Sequence, residues 1–237
     1  PFGVAVDASG AFTQLNLSGD AGGARYSAQA QPAGDGRMQA RLSVQAPEAA
    51  TLLRQAGLAV LPLKGVGGAR LEAEGEGVVG APLRTRASLD LAGLSLRFAG
   101  ETILALDRAS ARGELTGESA DLARLAPLFA FGAPDLSKNV PLSGRAQMRF
   151  DGQGLALSSI AAEIAGLKAK GNLARDVAGA VSGALALDHL SAPDLAALAL
   201  GPPQPAPAAA LWPMLKFAPA RFDPPNADVG LDVGRLD

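Results

Sequence analysis

The chain has 237 residues, with 21 Lys and Arg against 23 Asp and Glu; the net charge of −2, with signs interleaved, gives nucleic-acid binding no electrostatic basis. It has no cysteine, which excludes thiolate catalysis, zinc–thiolate clusters and disulfides. Hydrophobic residues are 48% of the chain but aromatics only 4%, so its apolar surface is Ala, Leu and Val with few ring anchors.

Taken in chain order, the dominant signal is strict period-two alternation, the pattern of strands with one dry and one wet face. Ala24, Tyr26, Ala28 and Ala30 oppose Arg25, Ser27, Gln29 and Gln31, and after the turn signal Ala33-Gly34-Asp35-Gly36 the stretch Arg37–Ala46 alternates without a break. A short helix is predicted at 47–57, closed by Gly57. Beyond Gly65-Val66-Gly67-Gly68, alternation resumes with Ala69, Leu71 and Ala73, then Leu83, Ala87, Leu89 and Leu91, then Leu94, Leu96 and Phe98. A second helix is predicted at 119–131. Strands follow through Ala146, Met148 and Phe150, through Ile160, Ala162 and Ile164, through Leu167, Ala169 and Leu173, and through Val181, Gly183, Leu185 and Leu187. A third helix is predicted at 193–200, and a Pro-rich surface loop at 201–213.

Glu48, Asp121 and Asp194 open the three helix signals, and they lie 73 residues apart twice over. A fixed period of this kind marks an array of one supersecondary unit, here about five strands plus a short helix. The three acids are expected to be helix-start residues favoured by the helix dipole. A looser echo, Pro62-Leu63-Lys64-Gly65 and Pro141-Leu142-Ser143-Gly144, is offset by 79 and implies helix-to-strand loops of unequal length. The expected fold is mainly β: an elongated, curled antiparallel sheet, an open groove, running as one continuous array over 1–237. The chain reads as an excised piece of a larger protein, with any membrane anchor elsewhere.

Three short helices cannot roof a dozen strands, so the apolar face must fold on itself or receive something else. Small residues there leave volume that a packed sandwich would fill. The residues expected to line such a groove are Met38, Ala40, Leu42, Val44, Leu71, Leu89, Leu91, Leu96, Phe98, Met148, Phe150, Ile160, Ile164, Leu167, Leu185 and Leu187.

Other constellations read as structural. His189, the single histidine, lacks the partners a catalytic or metal site needs. Glu72, Glu74 and Glu76 read as a solvated strand face offset by Arg84 and Arg86 on a following strand. Gly65-Val66-Gly67-Gly68 lacks the Lys-Ser/Thr and the following helix of a phosphate loop. Asn16-Leu17-Ser18 matches a glycosylation acceptor by composition alone. Trp212, Phe217 and Phe222 read as local packing, and Leu122, Leu125 and Phe129 as the seat of the second helix.

The alternating strands, the Gly-punctuated hairpins and the recurring Asp-Leu-Ala-x-Leu helix resemble the AsmA family of bacterial envelope proteins. The segment Val181-Ser182-Gly183-Ala184-Leu185-Ala186-Leu187-Asp188-His189-Leu190-Ser191-Ala192-Pro193-Asp194-Leu195-Ala196-Ala197-Leu198 carries the resemblance, with Leu211-Trp212-Pro213 and the strand pair Leu91–Gly100. The resemblance implies an inner-membrane-anchored protein with a periplasmic repeating β-groove, similar to TamB and bridge-like lipid-transfer proteins, that moves phospholipid toward the outer membrane in its biogenesis. It carries over no catalytic residue, cofactor or metal. The expected partners are phospholipid acyl chains and, through other parts of the protein, the envelope membranes. The expected activity is non-enzymatic lipid transfer. The alternative is a structural or assembly factor for outer-membrane proteins, built as a closed, dry β-sandwich or solenoid. A polysaccharide-acting enzyme would need clustered carboxylates and cleft aromatics, which are lacking.

Overall fold

The computed structural model describes residues 2–6, 12–58, 60–61, 64–78, 80–104, 109–125, 128, 139–190 and 227–236. Thirteen strands form a single open sheet in sequence order. They are β1 (Phe2–Val6), β2 (Phe12–Ala21), β3 (Ala24–Pro32), β4 (Arg37–Ala46), β5 (Ala69–Val78), β6 (Leu83–Leu91), β7 (Leu94–Leu104), β8 (Ala109–Ser119), β9 (Leu142–Phe150), β10 (Gly154–Ile164), β11 (Leu167–Asp176), β12 (Val181–Leu187) and β13 (Ala227–Val233). β1 and β13 are its two edges, and the sheet does not close into a sandwich or barrel. At the usual strand spacing it is about 58 Å long.

Every pair is antiparallel except β12 and β13, which run parallel. The expectation of an antiparallel sheet fails at this one place. β12 ends at Leu187 and β13 begins at Ala227, at the opposite end of the pair beside Val181, as a parallel pair requires. The third predicted helix, the Pro-rich loop, Phe129, Trp212, Phe217 and Phe222 lie outside the described residues.

The 73-residue period is a real structural repeat. β5 and β9 begin at Ala69 and Leu142, β7 and β11 at Leu94 and Leu167, each pair one period apart. The hairpins Ala92-Gly93 and Ala165-Gly166 repeat it in detail, with φ of 50° and 95° in one and 52° and 90° in the other. Two successive positive φ values give the turn twist that suits a two-residue hairpin. In each case the alanine N–H is bound by the residue just before the first strand of the same unit, Ala92 to the Gly68 carbonyl at 3.0 Å and Ala165 to that of Pro141 at 2.8 Å.

Gly68 and Pro141 are therefore equivalent positions, and each cap acid, Glu48 and Asp121, stands 21 residues before the start of the next strand. The Pro62 echo, and with it the inference of unequal loops, rests on Pro62 and Leu63, which lie outside the described residues. Among the described residues each period holds four strands, β5–β8 and then β9–β12, against the expected five or so. Each unit thus adds about 19 Å.

The helical part is slight. α1 spans Ala49–Gln55, with Glu48 as its N-cap, inside the expected 47–57. The second expected helix is, in the described residues, a single 3-10 turn at Leu122–Arg124, with Asp121 capping it by accepting the Ala123 N–H. None of the described helices is long and apolar enough to cross a membrane.

Glycines let this sheet bend. Gly100 and Gly113 stand opposite each other on β7 and β8, and a Cβ on either would come within 2.6 Å of the other's Cα. Backbones this close leave no room for a side chain, and opposed glycines of this kind are a route to sheet curvature. β10 carries a further irregularity: the register slips between Leu157 and Ile160, with Ser159 at φ 52°. The inserted residue changes the alternation, so Leu155 and Leu157 share a face with Ile160, Ala162 and Ile164.

Candidate functional site: one apolar face

The register aligns the apolar residues of successive strands into rows perpendicular to the strands. The central row passes from Leu17 through Ala28, Leu42, Ala73, Ala87, Phe98 and Leu115 to Ala146, each opposite the next. Past the bulge it continues as Ile160, Gly171, Leu185 and Leu231. It thus runs from β2 to β13 without a polar interruption. On one side lies the row Val44, Leu71, Leu89, Leu96, Gly117, Gly144, Ala162, Ala169 and Leu187. On the other lies Ala40, Gly75, Thr85, Gly100, Gly113, Met148, Leu157 and Leu173. The outermost rows hold Leu91, Leu142, Ile164 and Leu167 at one lip and Met38, Leu83, Phe150 and Leu155 at the other.

All sixteen candidate lining residues lie on this face, but they do not share one environment. α1 packs over one lip, where Ala49, Ala50 and Leu53 bury against Ala24, Val44, Ala46, Ala69 and Leu91, with Leu125 and Leu128 in the same cluster. Val44 and Leu91, each 4% exposed, are therefore sealed structural packing rather than lining. Gln55 fastens the helix there, accepting from the Tyr26 hydroxyl at 2.6 Å and donating to the Ala21 carbonyl at 3.1 Å. We call this the helix lip.

The centre and the opposite lip, where the β3–β4, β5–β6, β9–β10 and β11–β12 turns lie, have no such cover among the described residues. Leu42 is 39% exposed, Phe150 and Leu155 37%, and Leu231 50%. Most other residues of the central row are half-buried by their neighbours alone. The outcome is a contiguous apolar strip, far beyond the scattered exposed side chains of an ordinary surface. Thr85 and Thr102 are exceptions in kind, and they satisfy each other with a 2.7 Å hydroxyl pair.

The reverse face is charged and balanced. Arg41 meets Glu74 at 3.1 Å, Arg37 meets Glu76 at 2.9 Å, Arg97 meets Glu118 at 3.1 Å and Arg112 meets Glu101 at 2.7 Å. Glu72 pairs with Arg70. Arg84 and Arg86 do stand opposite Glu76 and Glu74 in register, but the ion pairs of those acids run to β4, a correction to the expected partners. The shallow depression over β3–β8 also lies on this face, among Ser27, Arg41, Glu72, Arg86 and Arg97. Pairs this exposed add only about 0–1 kcal/mol each, so their main effect is to keep this face wet.

The cap acids do more than start helices. Glu48 makes no side-chain cap; its carboxylate accepts the Gly65 N–H at 3.1 Å. Asp121 accepts the N–H groups of Ala123 and, across the loop, Val140, at 3.0 and 3.1 Å. Both acids hold the chain returning to the next strand. Asp188 and His189 are likewise structural: the Asp188 carboxylate accepts the Lys168 N–H at 2.9 Å and lies 2.9 Å from His189 Nδ1. The Lys168 N–H, followed by contacts to His189, lowers the Asp188 pKa against a smaller opposing effect of burial. Among the described residues no three metal-ligating side chains converge.

No protein-family model matches the chain, and no curated protein and no solved structure matches it.

Proposed function

We propose that this chain is a non-enzymatic, lipid-conducting segment of an envelope protein, binding phospholipid acyl chains along its apolar face. The observation that carries this reading is the central row, apolar from Leu17 to Leu231, without a roof among the described residues and backed by a charged face on the other side of the same strands. A sixteen-carbon chain gains on the order of 10 kcal/mol on leaving water at about 0.8 kcal/mol per methylene. Eleven strand spacings, about 53 Å, exceed the roughly 15 Å thickness of one bilayer leaflet's hydrocarbon, so several lipids fit in file. The resemblance to the AsmA family supplies the setting: a periplasmic location, inner-membrane anchoring in the longer protein, and phospholipid movement toward the outer membrane.

The assembly-factor reading rests on a closed, dry interior, and among the described residues the sheet is open. Purification without detergent followed by mass spectrometry of an organic extract tests the proposal. Phospholipid is expected at more than one molecule per chain. A lipid-free protein that also fails to take up added phospholipid refutes it.

A further inference from the structure

Across the apolar face of β2–β13, one described side chain is charged. Arg175 is the last apolar-face residue of β11 before the turn to β12, opposite Leu155 on one side and Val181 on the other. The alternation from Leu167 through Ala169, Gly171 and Leu173 puts it on the apolar face, at the lip away from α1. It is exposed, and its guanidinium lies against the turn at Gly179. No ion pair or hydrogen bond engages it among the described residues, whereas Arg37, Arg41, Arg97, Arg112 and Arg149 all have carboxylate partners on the reverse face. The nearest acid in sequence, Asp176, is occupied by the turn itself, accepting the Ala180 N–H at 2.8 Å.

A cation spoils an apolar strip unless it serves something bound there. The two lips differ in what they admit. The helix lip is sealed by α1 and the Leu53 cluster at β3–β6, whereas the turn lip beside Arg175, at Phe150 and Leu155, is open and has room for the polar end of an amphiphile on the strip. The apolar width from Leu83 to Leu91 is about 27 Å, enough for a chain of about 15 Å to lie across it with its head at the rim.

On the lipid reading above, we infer that Arg175 is a specificity residue that receives the anionic phosphate of a phospholipid headgroup at the turn lip while the acyl chain lies across the strip toward Leu167. A planar guanidinium grips phosphate by two parallel N–H bonds, and its aliphatic stem can lie along Leu155 and Val181.

The matched probes are palmitoyl-lysophosphatidic acid and monopalmitoylglycerol, which differ only by the phosphate, titrated into the whole chain below their micelle concentrations. Wild type is expected to prefer the phosphate-bearing lipid by about fivefold, less than a buried charged contact gives because the site is exposed. Arg175→Gln should abolish that preference with monopalmitoylglycerol affinity unchanged; Arg175→Lys should restore part of it; 0.5 M salt should erode it in wild type alone. Glycerol 3-phosphate should not bind measurably. A preference that survives Arg175→Gln overturns the inference and leaves the lipid reading standing. Glycerol 3-phosphate binding as well as the lipid would make this a free-phosphate site and also overturn it. Binding of neither lipid by wild type refutes the lipid reading and, with it, this one.

Discussion

The Asp121 carboxylate accepts the backbone N–H of Val140 at 3.1 Å, joining residues on either side of the connection between the second and third units. Its equivalent one period earlier, Glu48, does the same to Gly65 with a longer side chain. Leu122 and Ala49, the next residue in each case, donate their N–H groups to the returning strand at Val140 and Gly67. The acid and the amide beside it together form a clasp that fixes where each new strand begins. Asp121→Ala removes the oxygen that accepts both N–H groups and should cost about 1–2 kcal/mol in urea unfolding. Asp121→Asn keeps a carbonyl acceptor in place and should cost less than half of that. Equal losses for the two variants would contradict the clasp.

The glycine pair on β7 and β8 makes a second, steric prediction. A Cβ at Gly100 would sit 2.2 Å from the Arg112 carbonyl oxygen, and one at Gly113 2.3 Å from that of Ala99. Backbone cannot yield there as a side chain can. Gly100→Ala is expected to destabilise by about 2 kcal/mol or more, beyond the gain from reduced unfolded-state entropy. Gly19→Ala, where a methyl meets nothing within 4 Å, should be neutral or slightly stabilising. Thermal melts of the two variants side by side decide this; a harmless Gly100→Ala would show that the strands are not held so close.

Much of this architecture is visible in the residues. Where one face is wet and the other dry, a strand must alternate, and β4–β7, β9, β11 and β12 do so plainly enough to place fourteen of the sixteen lining candidates on one face, with Ile160 and Ile164 of β10 as the other two. The helix cap at Glu48 and the period were equally plain. β8 is harder to see, because Gly113 and Gly117 occupy apolar-face positions where Cβ atoms would collide with β7, which leaves Leu115 as its single large apolar residue. The bulge in β10 had a signal: apolar positions change from odd at Leu155 and Leu157 to even at Ile160 and Ile164 across Ser158-Ser159. The burial of Val44 and Leu91 was not legible, since alternation says which face a residue occupies and nothing about what covers that face. Arg175 reads locally as one more polar residue at a strand end, and only the register shows which face it joins.

Charge on the strip should act differently from charge behind it. Met148→Glu and Leu115→Glu place a carboxylate in the middle of the apolar rows, at a cost for any acyl chain there of about 2–3 kcal/mol by analogy with charges inserted in hydrocarbon. Retained phospholipid is expected to fall at least tenfold in each. Arg149→Gln, on the charged face and paired only with Asp151 at 3.7 Å, should retain lipid at the wild-type level. Lipid is quantified per chain by mass spectrometry, with circular dichroism confirming that each variant keeps its strands. Equal effects from both faces would refute the assignment of the lipid-binding face.

Acid should loosen the end of β12 through Asp188. The Lys168 N–H, helped by the contacts to His189, favours the charged carboxylate, so its folded-state pKa lies below the ordinary value of 3.8. A group whose pKa is lowered on folding contributes stability that is fully present above its unfolded pKa. That contribution is lost as pH falls through the folded value. The window is therefore below about 3.8, and nothing is expected of this group between pH 5 and 8. Because Asp188 is exposed, the loss should register locally, as faster amide exchange at Lys168 and His189, whose N–H groups it accepts. Asp188→Asn keeps an acceptor oxygen but no titrating group, so exchange at these two amides should no longer accelerate on acidification beyond that of neighbouring strand amides. Exchange at these two amides in wild type that does not speed up below pH 4 relative to neighbouring strand amides, after correction for the intrinsic rate, would refute the Asp188 assignment.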